Sequence, residues 1–242
     1  MQSFHELTSG SSLIRFTLER KNVKHINLRV QPDGEIKVSA HPDVPYRQIE
    51  DFVEDKSDWI LKQMKYFDTV RPIPMPEKDF MTGESFRYLG KQYRLKVMEV
   101  ETDEHVKFYR GFIHLYVKDR NDQGRKKELV SSWYQNRRQV IFQESLERMW
   151  ERIKSYGINY PKLKTRKMKT RWGSCLIKDE TIVLNNDLIY APKACIDYVV
   201  LHELIHFIEK DHNSHFYNLM YLLMPDWEQR KKYLDEEMIV NI

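Results

Sequence analysis

The residues with the clearest chemical role lie in the segment HELIH, from His202 to His206. An α-helix advances about 100° and about 1.5 Å per residue, so both histidines would lie on one face of a helix, roughly 6 Å apart along its axis. Two imidazoles at this spacing can bind one metal ion, and zinc is the ion usual for this motif. The neighbouring Glu203 can accept a proton from an activated water without binding the ion. The motif therefore predicts metal-assisted hydrolysis with Glu203 as the general base.

A catalytic zinc ion needs a third protein ligand, because its fourth position stays open to water. The chain after the motif supplies four candidates: Glu209, Asp211, His212 and His215. Along a continuous helix, Glu209 would be about 10.5 Å from His202, too far for the two to bind one ion easily. His212 can reach the ion only if the helix ends just after Lys210, and the charged residues 209–214 favour an end there. We therefore prefer His212 and keep His215 as the alternative.

The residues around the motif predict a buried helix. Apolar side chains occupy nearly every face of that helix: Tyr198, Val199, Val200, Leu201, Leu204, Ile205, Phe207 and Ile208. Polar groups inside such a helix must have partners, because burying them unpaired is costly. Hydrogen bonds within the core would satisfy a lone histidine, but two histidines and a glutamate at this spacing favour a metal ion.

The first half of the chain is rich in predicted strands. The runs IRFTLER, HINLRV and EIKVSA alternate apolar and polar residues, and the sequence Pro-Asp-Gly at 32–34 supplies a turn between the last two. A helix is predicted from Pro45 to the proline-rich segment at 72–76. Beyond that segment, alternating runs over residues 83–118 predict an antiparallel meander.

The second half is predicted to be mixed. A long helix is expected from Arg125 to about Tyr156, where neither Gly nor Pro interrupts the apolar pattern. The remaining elements are strands at about residues 164–174 and 181–185, and helices from residue 192 and from about residue 214. We therefore predict an α+β fold, with a β-rich N-terminal region over residues 1–123. An α+β domain over residues 124–242 would carry the metal-binding helix at its centre.

Composition excludes several classes of protein. The 242 residues are 41% hydrophobic and 31% charged with a net charge of +4, as expected of a soluble globular protein. No stretch approaches the roughly 20 apolar residues of a membrane-spanning helix, and MQSFHELTSGSSLIRF lacks the features of a secretory signal. We therefore expect a cytoplasmic protein without a membrane partner. Cys175 and Cys195 are too few for a disulfide framework and are expected to be reduced core thiols.

A basic segment from Lys162 to Arg171 suggests a second hypothesis. It carries six positive charges and no acidic residue, at Lys162, Lys164, Arg166, Lys167, Lys169 and Arg171. With Trp172 as a stacking ring, it could follow the phosphates of a nucleic acid. The alternative is a strand with a solvated basic face and Trp172 in the core. A nucleic-acid-associated zinc protein, either a DNA-linked protease or a non-catalytic binding module, is therefore the competing prediction.

Four motifs in order resemble the YgjP-like metallopeptidase family: RKMKTRWGSC, TIVLNNDLIYAP, IDYVVLHELIHF and MPDWEQRKKYL. They run from about Lys164 to Leu234, and the β-rich first half is also similar to that family. The family in turn is similar to other zincins, including the SprT-like and WLM proteins.

The resemblance implies a zincin-like domain with one zinc ion on the HELIH helix, acting on protein or peptide substrates. The implied ligands are His202, His206 and His212, with Glu203 as general base. The resemblance also suggests that the strand Thr181–Asn185 pairs with an extended substrate, although an ordinary core strand fits that segment equally well. Arg171, His215 and Tyr217 are possible donors to the oxyanion of the transition state.

Overall fold

The computed structural model of the chain describes residues 2–9, 12–31, 34–69, 78–168 and 171–238. It has helices and mixed sheets, so the predicted α+β class is confirmed. The chain forms two compact units, residues 1–74 and 75–242, each with its own hydrophobic core. This division differs from the predicted boundary at residues 123 and 124. The reason is that the strands over residues 85–117 share one core with everything that follows them, whereas the strands over residues 2–40 have a core of their own.

The first unit is a four-stranded sheet with two helices. Its elements are β1 (Gln2–Ser9), β2 (Ser12–Arg20), β3 (Asn27–Val30), β4 (Ile36–Ala40), α1 (Tyr46–Asp55) and α2 (Ser57–Thr69). The strand order is β1-β2-β4-β3, with β2 and β4 parallel. β3 and β4 pair antiparallel, as the predicted hairpin requires, although residues 32 and 33 of its turn lie outside the described residues. The proline-rich segment at 72–76 also lies outside them.

The second unit begins with another four-stranded sheet. Its strands are β5 (Ser85–Tyr88), β6 (Lys91–Glu99), β7 (His105–Tyr109) and β8 (Phe112–Val117), in the order β5-β6-β8-β7. The predicted strands are present, but the sheet is not a simple meander, because β8 lies between β6 and β7 and runs parallel to β6. Alternate residues of β6 and β8, such as Leu95 and Leu115, are fully buried in the core of the unit.

The long predicted helix is α3 (Gln123–Ile153). Its first turn is capped by Asp122, whose side chain accepts a hydrogen bond of 2.8 Å from the backbone N–H of Arg125. Apolar residues at helical spacing, among them Phe142 and Leu146, are fully buried on the side that packs in the core. The helix therefore joins the β5–β8 sheet to the C-terminal half of the same unit.

Three short strands follow, β9 (Lys162–Arg166), β10 (Gly173–Leu176) and β11 (Thr181–Asn185), in the order β10-β11-β9. The strand predicted at 164–174 is thus two strands on opposite edges of this sheet. All five residues of β11 are buried, and β11 is paired on both sides. The expectation that β11 pairs with a substrate is therefore wrong, because its backbone groups are already bonded. The two edge positions belong to β10 and β9.

The remaining helices are α4 (Lys193–Ile205), α5 (Ser214–Leu223) and α6 (Trp227–Tyr233). α4 begins after Pro192, as predicted, and a turn between β5 and β6 fits against that proline. A Cβ on Gly90 would lie 2.7 Å from Cγ of Pro192, so only glycine fits at this contact. Within the described ranges, no helix combines the length and apolarity that crossing a membrane requires.

Candidate metal centre

The metal-binding motif lies at the C-terminal end of α4. The helix ends at Ile205, and residues 206–208 form a turn in which the N–H of Glu209 donates to the carbonyl of Ile205 over 2.8 Å. The break comes earlier than the predicted end after Lys210. It lets the chain reverse, so that His212 returns to α4.

The structure brings three histidines together. Nε2 of His212 is 2.9 Å from Nε2 of His202, and one ring nitrogen of each of His202, His206 and His212 lies within 4.8 Å of the others. Tetrahedral zinc with nitrogen ligands at about 2.0–2.1 Å would hold these atoms about 3.3 Å apart. Small side-chain adjustments are enough to reach that geometry, so the donor set fits the ion.

The ring of His206 is oriented by the turn that follows it. Its Nδ1 lies 3.1 Å from the carbonyl oxygen of Glu209. A carbonyl oxygen only accepts, so Nδ1 carries the proton and Nε2 keeps its lone pair for a metal. Such a second hydrogen bond is the usual way in which a protein fixes the tautomer of a metal-binding histidine.

The environment keeps His202 neutral. Burial lowers its pKa to about 3, and electrostatic interactions with His206, His212 and Lys231 act in the same direction. The pKa of His212 is also lowered, again mainly by burial. Metal ligands must be deprotonated imidazoles, so the site disfavours the proton that would compete with a metal.

The aromatic ring of Phe216 packs against all three histidine rings. The centroid of the fully buried Phe216 ring is 4.9 Å from that of His202, 4.9 Å from that of His206 and 4.7 Å from that of His212. Phe216 lies in the first turn of α5, whose N-cap Asn213 accepts a hydrogen bond of 3.0 Å from the Phe216 N–H. Sequence analysis did not identify Phe216, because only the fold shows that it contacts all three rings.

Glu203 lies against the edge strand β10 and is only 6% exposed. A Cβ on Gly173 would be 2.6 Å from Oε1 of Glu203, so the strand approaches the carboxylate as closely as glycine allows. Burial raises the pKa of Glu203 to about 7, partly opposed by the charge of Arg171 and by a hydrogen bond from the Cys175 N–H. Gly173 and Cys175 belong to the segment RWGSC of the first family motif, but the sequence did not predict their contact with Glu203.

The histidines and Glu203 line a cavity of about 560 Å³. Its wall includes β10 and three cations, Arg171, Lys210 and Lys231. A second cavity of about 620 Å³ shares Lys231 and Asp235 with the first and is lined by the aromatic side chains Tyr217, Tyr221 and Trp227. Space for an extended ligand therefore continues beyond the histidines.

The other residues considered from sequence have different surroundings. His215 is exposed and has its Nδ1 3.1 Å from Oε2 of Glu209, outside the group of three histidines. Cys195 is buried, as expected, whereas Cys175 is half-buried in the cavity wall. Burial raises the pKa of the Cys175 thiol to about 12, with a further contribution from Glu203, so the thiol stays protonated.

The basic segment is only partly described, because residues 169 and 170 lie outside the described residues. Lys162, Lys164 and Arg166 are exposed on the edge strand β9. Trp172 is half-buried, packs against the core and lines the cavity. Nucleic-acid binding by this segment stays a prediction, although the tryptophan fits the core alternative better than a solvent-facing stacking ring.

An HExxH helix with a third histidine beyond its end, and with the glutamate against a sheet edge, is an arrangement typical of zincin-type metallopeptidases. The family can also be stated. The chain belongs to the YgjP-like family, whose metallopeptidase domain matches residues 24–237. The resemblance seen in the four sequence motifs is thereby confirmed.

Two solved structures are similar to part of the chain. The crystal structure of the metallopeptidase zymogen of Pyrococcus abyssi abylysin is 19% identical, with a TM-score of 0.38, and covers 42% of this chain and 98% of that chain. The metallopeptidase zymogen of Methanocaldococcus jannaschii jannalysin is 20% identical, with a TM-score of 0.35, and covers 40% of this chain and 89% of that chain. The search of curated proteins gave no match.

Proposed function

We propose that this metallopeptidase is a zinc enzyme that holds one Zn²⁺ through His202, His206 and His212 and hydrolyses peptide bonds with Glu203 as general base. The observation that supports it best is the convergence of three imidazole nitrogens within 4.8 Å beside a buried glutamate. Three nitrogen ligands leave one of the four positions of zinc open, which is the arrangement of catalytic rather than structural sites. Zinc bound there would supply the Lewis acidity that activates water and polarises the peptide carbonyl.

Glu203 is suited to move a proton. A carboxyl group with a pKa of about 7 can accept a proton from the attacking water and pass it to the leaving amine near neutral pH. Its backbone partner at Cys175 and the close approach of Gly173 hold the carboxylate in one position. Positioning of this kind is a large part of the rate enhancement that an acid–base residue provides.

Arg171 is the best-supported donor to the oxyanion. Of the three residues considered from sequence, Arg171 lines the same cavity as Glu203, and its charge acts on that carboxylate. Tyr217 lines the adjoining cavity, and His215 is paired with Glu209. A guanidinium in the wall of the cavity can stabilise negative charge that develops on the carbonyl oxygen.

The edge strand β10 is the proposed support for the substrate backbone. It forms one wall of the cavity and is bonded to β11 on one side only. An extended peptide can add to such an edge, so that the scissile bond lies over the histidines. The competing prediction of a structural zinc site would need a closed fourth ligand, whereas a cavity of about 560 Å³ opens beside these histidines.

One panel of variants tests the proposal. Glu203→Gln should keep one zinc per chain and lose at least ~100-fold in hydrolysis of casein or a peptide library, because the proton acceptor is gone. The control Glu147→Gln changes an exposed glutamate of α3 and should behave as the natural chain.

His212→Ala should weaken zinc binding at least ~10-fold, whereas His215→Ala should retain it. Full activity of Glu203→Gln, or unchanged zinc affinity of His212→Ala, would refute the assignment.

A further inference from the structure

The β5–β8 sheet has a second face that plays no part in the metal centre. Leu95, Val97, Ile113 and Leu115 point into the core, so the residues between them point the other way. We define the outer face as positions 94, 96 and 98 of β6, 112, 114 and 116 of β8, and 105, 107 and 109 of β7. The strand register aligns them in three rows, since 94, 112 and 109 are neighbours, as are 96, 114 and 107 and also 98, 116 and 105.

The outer face is positively charged. Arg94, Lys96 and Lys107 are all exposed, and none of the nine positions, all of which are described, carries an acidic side chain. Arg110, in the turn after β7, adds a further cation, with its Cζ 5.2 Å from the centroid of Tyr109. The net charge of the whole chain is only +4, so the four cations of this surface equal the net charge of the entire molecule.

Aromatic rings lie between these cations. Tyr109 is 51% exposed, and Phe112 and Tyr116 are half-buried in the same face. Nζ of Lys96 is 3.7 Å from the Phe112 centroid, and Nζ of Lys107 is 4.9 Å from that of Tyr116. Each of the three rings therefore has a cation close to it. Such a pair can contact a nucleotide through both parts, the ring against the base and the cation against the phosphate.

A histidine without a hydrogen-bond partner lies at the centre of the face. His114 stands in register between Lys96 and Lys107, and neither of its ring nitrogens has a partner among the described residues. On one side of it, His105 stacks on Tyr116 with centroids 4.3 Å apart and ring planes 13° apart. Both nitrogens are buried beneath neighbouring side chains, so a ligand could satisfy them once those side chains move.

We propose that the outer face binds single-stranded nucleic acid, with Arg94, Lys96 and Lys107 on phosphates and Tyr109, Phe112 and Tyr116 against bases. Three cations with no acid between them complement an anionic partner. The rings favour unpaired bases over other polyanions, because stacking needs an exposed planar surface on the partner. This surface is separate from the basic segment on β9, and the proposal does not depend on the peptidase mechanism.

The test is fluorescence anisotropy with labelled oligouridylate and oligothymidylate of about 12 nucleotides, using the full chain at about 50 and about 200 mM salt. The natural chain should bind both, more weakly at the higher salt. Lys96→Gln/Lys107→Gln should weaken binding at least ~10-fold and reduce the slope of log K against log salt by about 1–2. Tyr109→Leu and Tyr116→Leu should each weaken it at least ~5-fold with the slope unchanged.

The matched control is Lys162→Gln/Lys164→Gln, which removes two exposed lysines from β9 and should bind as the natural chain does. Because Tyr109 is exposed, Tyr109→Leu should fold as the natural chain does. Circular dichroism would verify that the variant is folded. Absence of binding at low salt overturns the proposal, as does a loss of binding that appears in the β9 control alone. Equal binding of duplex DNA, or equal competition by polyglutamate, overturns it too, because neither partner offers unpaired bases.

Discussion

Glu203 and Gly173 are fitted to each other at the level of single atoms. The carboxylate is held between α4 and β10, where a side chain on residue 173 would occupy the space of Oε1. Placement of the proposed general base therefore depends on a residue that itself has no functional group.

Gly173→Ala should therefore move Glu203 without removing it. A Cβ 2.6 Å from Oε1 must displace the carboxylate or the strand, and a displacement of about 1 Å can cost on the order of 100-fold in rate. We expect kcat/KM to fall at least ~10-fold while zinc stoichiometry is retained. Gly124→Ala is the control, since a Cβ there makes only an ordinary 3.4 Å contact with Asp122. Unchanged peptide hydrolysis by Gly173→Ala would contradict this role.

The raised pKa of Glu203 also predicts how the stability of the metal-free protein depends on pH. The folded state holds a proton up to a pKa of about 7 that the unfolded state releases near 4.5, so stability falls as pH rises through this window. The full effect is on the order of 3 kcal/mol, from about 1.36 kcal/mol per pKa unit. Glu203→Gln lacks this loss. Its free energy of unfolding in urea should therefore exceed that of the natural chain by more at pH 8 than at pH 5. An equal difference at both pH values would contradict the prediction.

At the scale of single residues, the sequence could predict those site residues that lie close together in the chain. The spacing of His202, Glu203 and His206 follows from helix geometry alone, so it could be predicted. His212 was the preferred third ligand, and the structure brings it to His202. Gly173 and Phe216 could not be found in this way, because their roles come from contacts through space with residues far along the chain.

At the scale of elements, the position of His212 depends on the start of α5. Asn213, the next residue, caps the helix by accepting from the N–H of Phe216. The hydrogen bond with His215 lowers the pKa of the Glu209 carboxyl group most, and a hydrogen bond from the Asn213 side chain lowers it further. One side chain therefore joins the two ends of the turn that carries His212.

Asn213→Ala should weaken both the helix and the metal site. Loss of an N-cap costs about 1 kcal/mol, and the turn that presents His212 would also lose its bond to Glu209. We expect zinc affinity to fall about 10-fold, measured by competition with a chelator. Asp122→Ala removes the N-cap of α3 at a similar cost in stability and should leave zinc affinity unchanged. Equal zinc affinities for the two variants would show that the cap does not position His212.

Elements with a strong repeating pattern were predictable, and their pairings were not. The apolar spacing in α3 and the proline before α4 located those helices within a few residues. The predicted end of α4, after Lys210, is later than the observed end at Ile205. The apolar residues Phe207 and Ile208 continue the helical pattern in the sequence, although they pack against the core from a turn. The edge position of β10 depends on β9 pairing parallel to β11, a long-range contact that residue patterns do not encode.

At the scale of the whole molecule, the core decides where the metallopeptidase unit begins. The ring of Trp133 on α3 lies 5.0 Å from that of Tyr88 on β5, and the hydroxyl of Tyr134 donates to the carbonyl of Arg87 over 2.7 Å. The β-rich pattern before residue 123 suggested a separate region. Strands β5–β8 nevertheless cover one side of α3, which composition alone does not reveal.

A chain of residues 75–242 should therefore fold by itself and bind one zinc ion, since its core and all proposed site residues lie within it. A chain of residues 124–242, the predicted domain, would lack β5–β8 and expose Trp133 and Tyr134. We expect cooperative thermal unfolding for the first and aggregation for the second. The natural chain, unfolded under the same conditions, is the reference. Cooperative unfolding of residues 124–242 would support the original boundary.

The early end of α4 has a further consequence for the lifetime of the protein. A metal held by His202, His206 and His212 would act as a cross-link that closes the turn containing the exposed Lys210. Proteases cut a segment only when it opens, so tryptic cleavage after Lys210 would be slow in the loaded protein and fast in the empty one. Degradation of this chain would then follow the local supply of metal, and the turn that completes the site would also signal when the site is empty.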